Sequence, residues 1–443
     1  MHKLRNLVEA LRSSLWFIPM LLLSGAVVLA VGLVEVDSNI SRERLTDWPR
    51  LFGAGAEGSR GLLSAIAGSM ITVAGVTFSI TVVALALASG QYTSRILRNF
   101  MRDRANQVVL GVFVGVFAYC LVVLRTIRGG DEGAFVPSVA VLAALLLAFA
   151  AIGFLIFFIH HIAASIQATS IIERVAGETL AAVDRLFPAE VGGGAAAEPA
   201  GEALEAGPTA LTWITIPARK TGYVRGIDAE TLFDIARNQD TVLRMETGIG
   251  EFVIEGSPLA SMADRQPDED CIRRVNAAYA VGRDRTVQQD AAYGIRQLVD
   301  IALKALSPGI NDTTTAINCV DYLGAILARL AARPVETPGR SDGHQLRLIT
   351  RGPTFAGLLA EALDQIRQNA EGNVAVLTRL HQILGIVATR TTDVHRRQAL
   401  RQQADLVAAT AERSVPAAHD RAGIRAARCQ LFPVPDEAPE NKS

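Results

Sequence analysis

The chain has 443 residues, half of them hydrophobic, with a formal net charge of −1 and a mean hydropathy of +0.28. That length exceeds what one core organises, so two or more domains are expected, and apolar residues in this proportion point to membrane spans wherever they cluster. No basic excess is left to neutralise a phosphate backbone, so no nucleic-acid partner is expected.

Residues 15–34, "LWFIPMLLLSGAVVLAVGLV", carry no charge and match the roughly 20 residues that a bilayer core requires. Lys3, Arg5 and Arg12 precede them, but the run outlasts the ~7–15 residues of a signal-peptide apolar region, so an uncleaved anchor is expected. Uncharged runs at about 62–88, 108–124 and 136–159 predict three further spans. Arg95, Arg98, Arg102 and Arg104 after the second span outweigh Arg125 and Arg128 after the third. The positive-inside rule then places both termini in the cytoplasm of an inner-membrane protein, with the lipid bilayer as its first partner. Arg42, Arg44, Arg50 and Arg60 of the first loop run against this orientation, accompanied by acids.

The second span is the most informative helix. Ser69, Thr72, Val76, Ser79 and Val83 fall on one stripe with Ala65, Ala86 and Gly90, overlapped by Gly68 and Gly75. Two readings stay open: close helix packing through small residues, or a pore lining whose hydroxyls face water. In "QYTSRILRNFMRDR", Arg95, Arg98 and Arg102 share a face. They read as anchoring on anionic lipid or, ringed about an axis, as a cytoplasmic basic collar. No Asp, Glu, Lys or Arg lies inside the four runs, which disfavours ion-coupled transport. Four helices hardly enclose a pore, so any channel must be a homo-oligomer.

The fourth run continues without a breaker through "HHIAASIQATSIIERVAGETLAAVDRLF", predicting a helical stalk that completes a transmembrane region over residues 1–187. His160 and His161 point about 100° apart on that helix and read as interfacial polar residues rather than metal ligands. Residues 188–210 are Gly, Ala, Pro and Glu-rich, a flexible linker. Over 211–265, alternating strands and one short helix predict a small β-rich module, whose Gly222, Gly250 and Gly256 spacing resembles the barrel-sandwich of lipoyl and biotinyl carrier domains. No lysine occurs at the expected attachment tip between Asp228 and Gly250, so a structural or adaptor role is expected, with no cofactor. Residues 266–431 read as a helical bundle and 432–443 as a disordered tail. Cys120, Cys271, Cys319 and Cys429 show no CxxC pair or histidine at ligand spacing, and are read as reduced thiols with no metal.

Between two bundle helices stands "ALSPGINDTTTAIN". Ser307 suggests a nucleophile, yet the nearest histidine on its C-terminal side is His344, beyond another helix, and no strand-turn-helix elbow surrounds it. A corner explains the same residues: Pro308 disfavours a helical Ser307, Gly309 suits a left-handed helix end, and Asn311 or Asp312 caps the next helix. No catalytic residue is therefore assigned, and the chain is not read as an enzyme.

That run, with "TVQQDAAYG" before it and "VTFSITVVALALASGQYTSRILRNF" in the second span, is similar to the bacterial predicted membrane proteins called domain of unknown function family 2254. The resemblance covers nearly the whole chain and implies a multi-pass inner-membrane protein with a cytoplasmic domain. The functional expectation is an oligomeric channel or permeation pore lined by the second span and regulated by its cytoplasmic domain, passing a small ion. The alternative is a membrane-anchored scaffold or sensor without transport. A ligand of the cytoplasmic part stays unassigned.

Overall fold

The computed structural model describes residues 16–39, 55–91, 103–128, 135–165, 167–187, 211–287, 289–335, 339–343 and 345–431. The segments read as linker, 188–210, and tail, 432–443, lie outside them. The chain divides into two compact units, Met1–Ser170 and Ile171–Ser443.

In the first unit, α1 (Phe17–Asn39), α2 (Ala56–Gln91), α3 (Arg104–Thr126) and α4 (Ser138–Ser165) are each long and apolar enough to cross a membrane. α3 is the central helix: Val109, Phe113, Val116, Tyr119, Cys120 and Val123 are all buried. Gly111 and Gly115 let α1 come close, since a Cβ at Gly111 would lie 2.7 Å from Leu22 Cδ1 and 2.9 Å from Pro19 Cα. The Tyr119 hydroxyl donates to Ala140 O at 2.8 Å, which ties α3 to the start of α4.

The charge-free run at 15–34 belongs to a helix that continues through Glu35 and Asp37 to Asn39. Asp37 is buried and accepts from Val139 N at 3.1 Å and Ala140 N at 2.9 Å, satisfying the free amides at the N-terminus of α4. Beyond α4, α5 (Ala168–Leu186) follows, with Gln167 N bonded back to Ala164 O, and residue 166 between the two helices lies outside the described residues. His161 is more than an interfacial polar group. Its Nε2 lies 2.6 Å from Asp103 Oδ2, while Asp103 Oδ1 caps α3 through Ala105 N. One carboxylate thus joins the start of α3 to the end of α4.

The second unit mixes helices and sheets. β1 (Trp213–Pro217), β2 (Gly222–Ile227), α6 (Ala229–Asn238), β3 (Leu243–Met245), β4 (Phe252–Val253), β5 (Pro258–Ala263), α7 (Glu269–Ala278) and β6 (Tyr279–Gly282) follow in order. The run "GEFVIEGSPLASM" forms two strands, β4 and β5, parted by the turn at Gly256 with φ +85°. Then come α8 (Ala291–Ala305), α9 (Thr313–Ala331), β7 (Gly339–Asp342), β8 (Gln345–Ile349), α10 (Phe355–Asn369), α11 (Val374–Ala388), α12 (Val394–Ser414) and α13 (Ala418–Leu431). Three of the strands, β6, β7 and β8, come from the stretch read as purely helical.

One sheet runs β1-β5-β3-β8-β7 and the other β4-β2-β6. β8 pairs parallel with β3, Leu243 opposite Leu348, so a hairpin distant in sequence completes the first sheet. Ile216, Val224, Leu232, Leu259, Met262 and Val275 form the buried core of this part. Among the helices, Leu298 and Ala302 of α8, Leu323 and Leu327 of α9, and Leu380 and Leu384 of α11 are buried, as their helical spacing requires. Gly324 admits α11: a Cβ there would stand 2.6 Å from Ile383 Cγ2. Arg333 closes the C-terminus of α5, donating to Phe187 O at 2.6 Å and pairing with Asp184 at 2.7 Å.

Candidate functional site: the outward face of the second helix

α2 has two unlike faces. Leu63, Ile66, Ala67, Met70, Ala74, Thr77 and Ala84 turn inward and are buried. Ser69, Thr72, Val76, Ser79 and Val83, the stripe singled out from sequence, are all exposed on the single chain. Ser69 Oγ donates to Ala65 O and Thr72 Oγ1 to Gly68 O, both at 2.8 Å. With their protons engaged in their own helix, these hydroxyls tolerate either apolar or aqueous surroundings.

The exposed face is built on heptads. Ala65, Thr72, Ser79 and Ala86 form its midline at seven-residue spacing, and all are exposed. Gly61, Gly68 and Gly75 flank the midline on one side, Ser69, Val76 and Val83 on the other. A Cβ added at Gly61, Gly68 or Gly75 would meet nothing within 4 Å. Among the described residues these glycines therefore serve no close approach, unlike Gly111 and Gly115. Gly61 went unread in the sequence, although its seven-residue distance from Gly68 was a usable signal.

The neighbouring helices expose larger side chains. α1 presents Met20, Leu21, Val28, Leu29 and Val31 beside the open Gly25 and Gly32, and α4 presents Leu146, Phe149, Ile152, Ile156 and Ile159 beside Gly153, but neither adds a row of exposed hydroxyls at heptad spacing. Large apolar side chains suit lipid tails, whereas a Gly, Ala, Ser and Thr seam suits the close approach of another helix. The basic residues Arg95, Arg98 and Arg102 lie outside the described residues.

The corner forms a separate, exposed feature. Ser307 Oγ donates to Lys304 O at 2.6 Å, and Ser307 O accepts from Ile310 N and Asn311 N. Asp312 accepts from Thr315 N at 3.0 Å and from the Thr315 hydroxyl at 2.6 Å, capping α9. Those two bonds hold its carboxyl below the usual range. The left-handed residue is Asn311, φ 50°, not Gly309; asparagine tolerates this region at modest cost. Pro308 and Gly309 are exposed between them.

Cys120, Cys271 and Cys319 are free and buried. Desolvation pushes the thiols of Cys271 and Cys319 upward, which keeps them protonated and inert.

Among known proteins, the chain is 34% identical to an uncharacterised protein of Mycobacterium bovis, over 98% of this chain and 83% of that one. An uncharacterised protein of Mycobacterium tuberculosis matches with the same identity and coverage. No solved structure matches. The family model described as "predicted membrane protein", domain of unknown function 2254, matches residues 12–385, and the chain belongs to that family.

Proposed function

We propose that this protein is a homo-oligomeric permeation protein of the inner membrane, assembled through the outward seam of α2, with both termini in the cytoplasm. One observation carries the reading: Gly61, Gly68 and Gly75 face open space beside the exposed midline Ala65, Thr72, Ser79 and Ala86. Glycine costs about 1 kcal/mol relative to alanine in a helix interior. Three of them at heptad spacing, without a neighbour to admit among the described residues, are best explained by a neighbour from another copy. The pattern repeats every seven residues, as a helix with a left-handed supercoiled partner requires. In a ring of such helices, one flank of the seam packs while the other, with Ser69 and the hydroxyls of Thr72 and Ser79, faces the axis.

Gly75→Leu tests assembly without touching the described single-chain packing, because a Cβ at that position meets nothing within 4 Å among the described residues. The expected result is a loss of oligomer mass by light scattering in mild detergent, with the helix content unchanged. Permeation is tested by single cysteines in a background from which native Cys120, Cys271, Cys319 and Cys429 have been removed. Residues Ser69, Thr72 and Ser79 should then react with water-soluble thiol reagents. Packed Ala74 and outward-facing but off-midline Ile80 should not. An oligomer whose seam stays unreactive and passes no current in planar bilayers is the membrane scaffold. A wild-type monomer refutes both the seam and the pore. Reporters fused after Phe187 and Ser443 should both read cytoplasmic.

A further inference from the structure

A second site lies within the second unit and does not depend on the permeation reading. The turn between β1 and β2, Ala218 to Thr221, faces α7 across a cleft of about 190 Å³ lined by Arg219, Lys220, Arg273 and Asn276 over an apolar floor that includes Leu259 and Val281. A water claims roughly 30 Å³ of liquid, so the cleft has room for a compact ligand of several heavy atoms.

The turn is held from both sides. Asn276 Oδ1 accepts from Arg219 N at 2.8 Å, and Asn276 Nδ2 donates to Pro217 O at 3.0 Å. From the other side, Gly256 N donates to Ala218 O at 2.8 Å, Ala218 N to Ser257 O at 2.9 Å, and Glu255 N to the Thr221 hydroxyl at 3.0 Å. A turn this well tied fixes the origin of the Arg219 and Lys220 side chains, which lowers the ordering cost of binding.

Charge decides what fits. Lys220 has no ion pair or hydrogen bond among the described residues. Arg219 pairs with Glu269 and Arg273 with Asp270, but these two carboxylates are 74% and 55% exposed. Exposed pairs contribute about 0–1 kcal/mol, so both guanidiniums can change partner at little cost. A free carboxylate would only duplicate what tethered Glu269 already supplies at higher effective concentration. A phosphate dianion brings a second charge and a third oxygen, enough to engage both guanidiniums and Lys220 together. An extended polyanion is disfavoured, since only three cations line the cleft and the whole chain has a net charge of −1.

We propose that the cleft between the β1–β2 turn and α7 binds the phosphate group of a phosphomonoester, held by Arg219, Lys220 and Arg273 on a turn positioned by Asn276. The group belongs either to a soluble metabolite or to a lipid headgroup. Purified full-length protein in detergent, titrated with inorganic phosphate in calorimetry, tests the first source. Protein in nanodiscs of phosphatidylcholine with or without phosphatidic acid, read by protection of Lys220 from amine acylation, tests the second. The expected result is saturable phosphate binding or selective protection by phosphatidic acid. Lys220→Ala or Arg273→Ala should weaken binding about tenfold, the equivalent of one charge-assisted bond. Glu269→Gln should tighten it several-fold by removing the internal competitor. These side chains are exposed, so unchanged circular dichroism is expected to accompany every variant. No phosphate binding at millimolar concentration together with no protection by phosphatidic acid overturns the proposal, as does binding indifferent to Arg273→Ala and Glu269→Gln.

Discussion

The ion pair of Arg285 and Asp290 gives the strongest mechanical prediction, because one carboxylate does two jobs there. Asp290 is 5% exposed; it accepts from Arg285 Nε at 2.8 Å and Nη2 at 3.1 Å, and from Tyr293 N at 3.0 Å as the N-cap of α8. The Arg285 guanidinium lies over the Tyr293 ring at 5.2 Å. Gly250 closes the site, since a Cβ there, at φ +85°, would sit 2.5 Å from Asp290 Oδ2. Removing one partner of a buried pair costs about 3–5 kcal/mol, and the 25% exposure of the Arg285 side chain places this case at the lower edge. Asp290→Ala should therefore cost about 3–4 kcal/mol, including about 1 kcal/mol for the lost cap. Asp290→Asn keeps an acceptor for Tyr293 N and loses only the charge, so it should cost about 1 kcal/mol less. Urea unfolding of the full-length protein in detergent measures both, and hydrogen exchange at residues 291–294 isolates the cap. Equal costs for the two variants would sink the assignment of a double role, and costs below about 0.5 kcal/mol would sink the ion pair itself.

Gly111→Val should disrupt the first unit, since the new side chain would collide with Leu22 and the Pro19 backbone; the expected cost is at least the ~1–3 kcal/mol of an overpacked core, read as a lowered Tm in detergent. Ser307→Ala should change stability by less than about 0.5 kcal/mol, while Asp312→Ala should cost about 1 kcal/mol through the lost cap; unfolding curves showing the reverse order would refute the corner. His381 is fully buried and desolvation lowers its pKa, against hydrogen bonds to Leu377 O and Ala404 O that raise it. A depressed folded pKa means stability is full above the unfolded value of about 6.5 and is lost as pH falls below it towards the folded value. His381→Gln should flatten that part of the stability profile, and an unchanged pH dependence would refute the linkage.

Much of this molecule is local and was legible in the residues. The four helices long and apolar enough to cross a membrane follow from charge-free runs matched to bilayer thickness, a property of composition that no distant contact alters. The cap at Asp312 follows from short-range hydrogen bonding within one turn. The same holds for the small-residue character of α2, although its face is only half described by the stripe through Ser69, Val76 and Val83.

Tertiary structure decided what periodicity does not encode. Only packing shows that Gly111 and Gly115 are consumed by α1 while Gly61, Gly68 and Gly75 are left open, because spacing alone is the same for a filled and an empty groove. Nothing in the sequence singles out Asp37 or Asp103; the fold alone brings Val139 N and Ala140 N to the first and His161 to the second. The parallel pairing of β3 with β8 joins strands about one hundred residues apart. A strand's partner depends on which buried faces meet, and that is set by the packing of the whole unit rather than by the strand's own alternation.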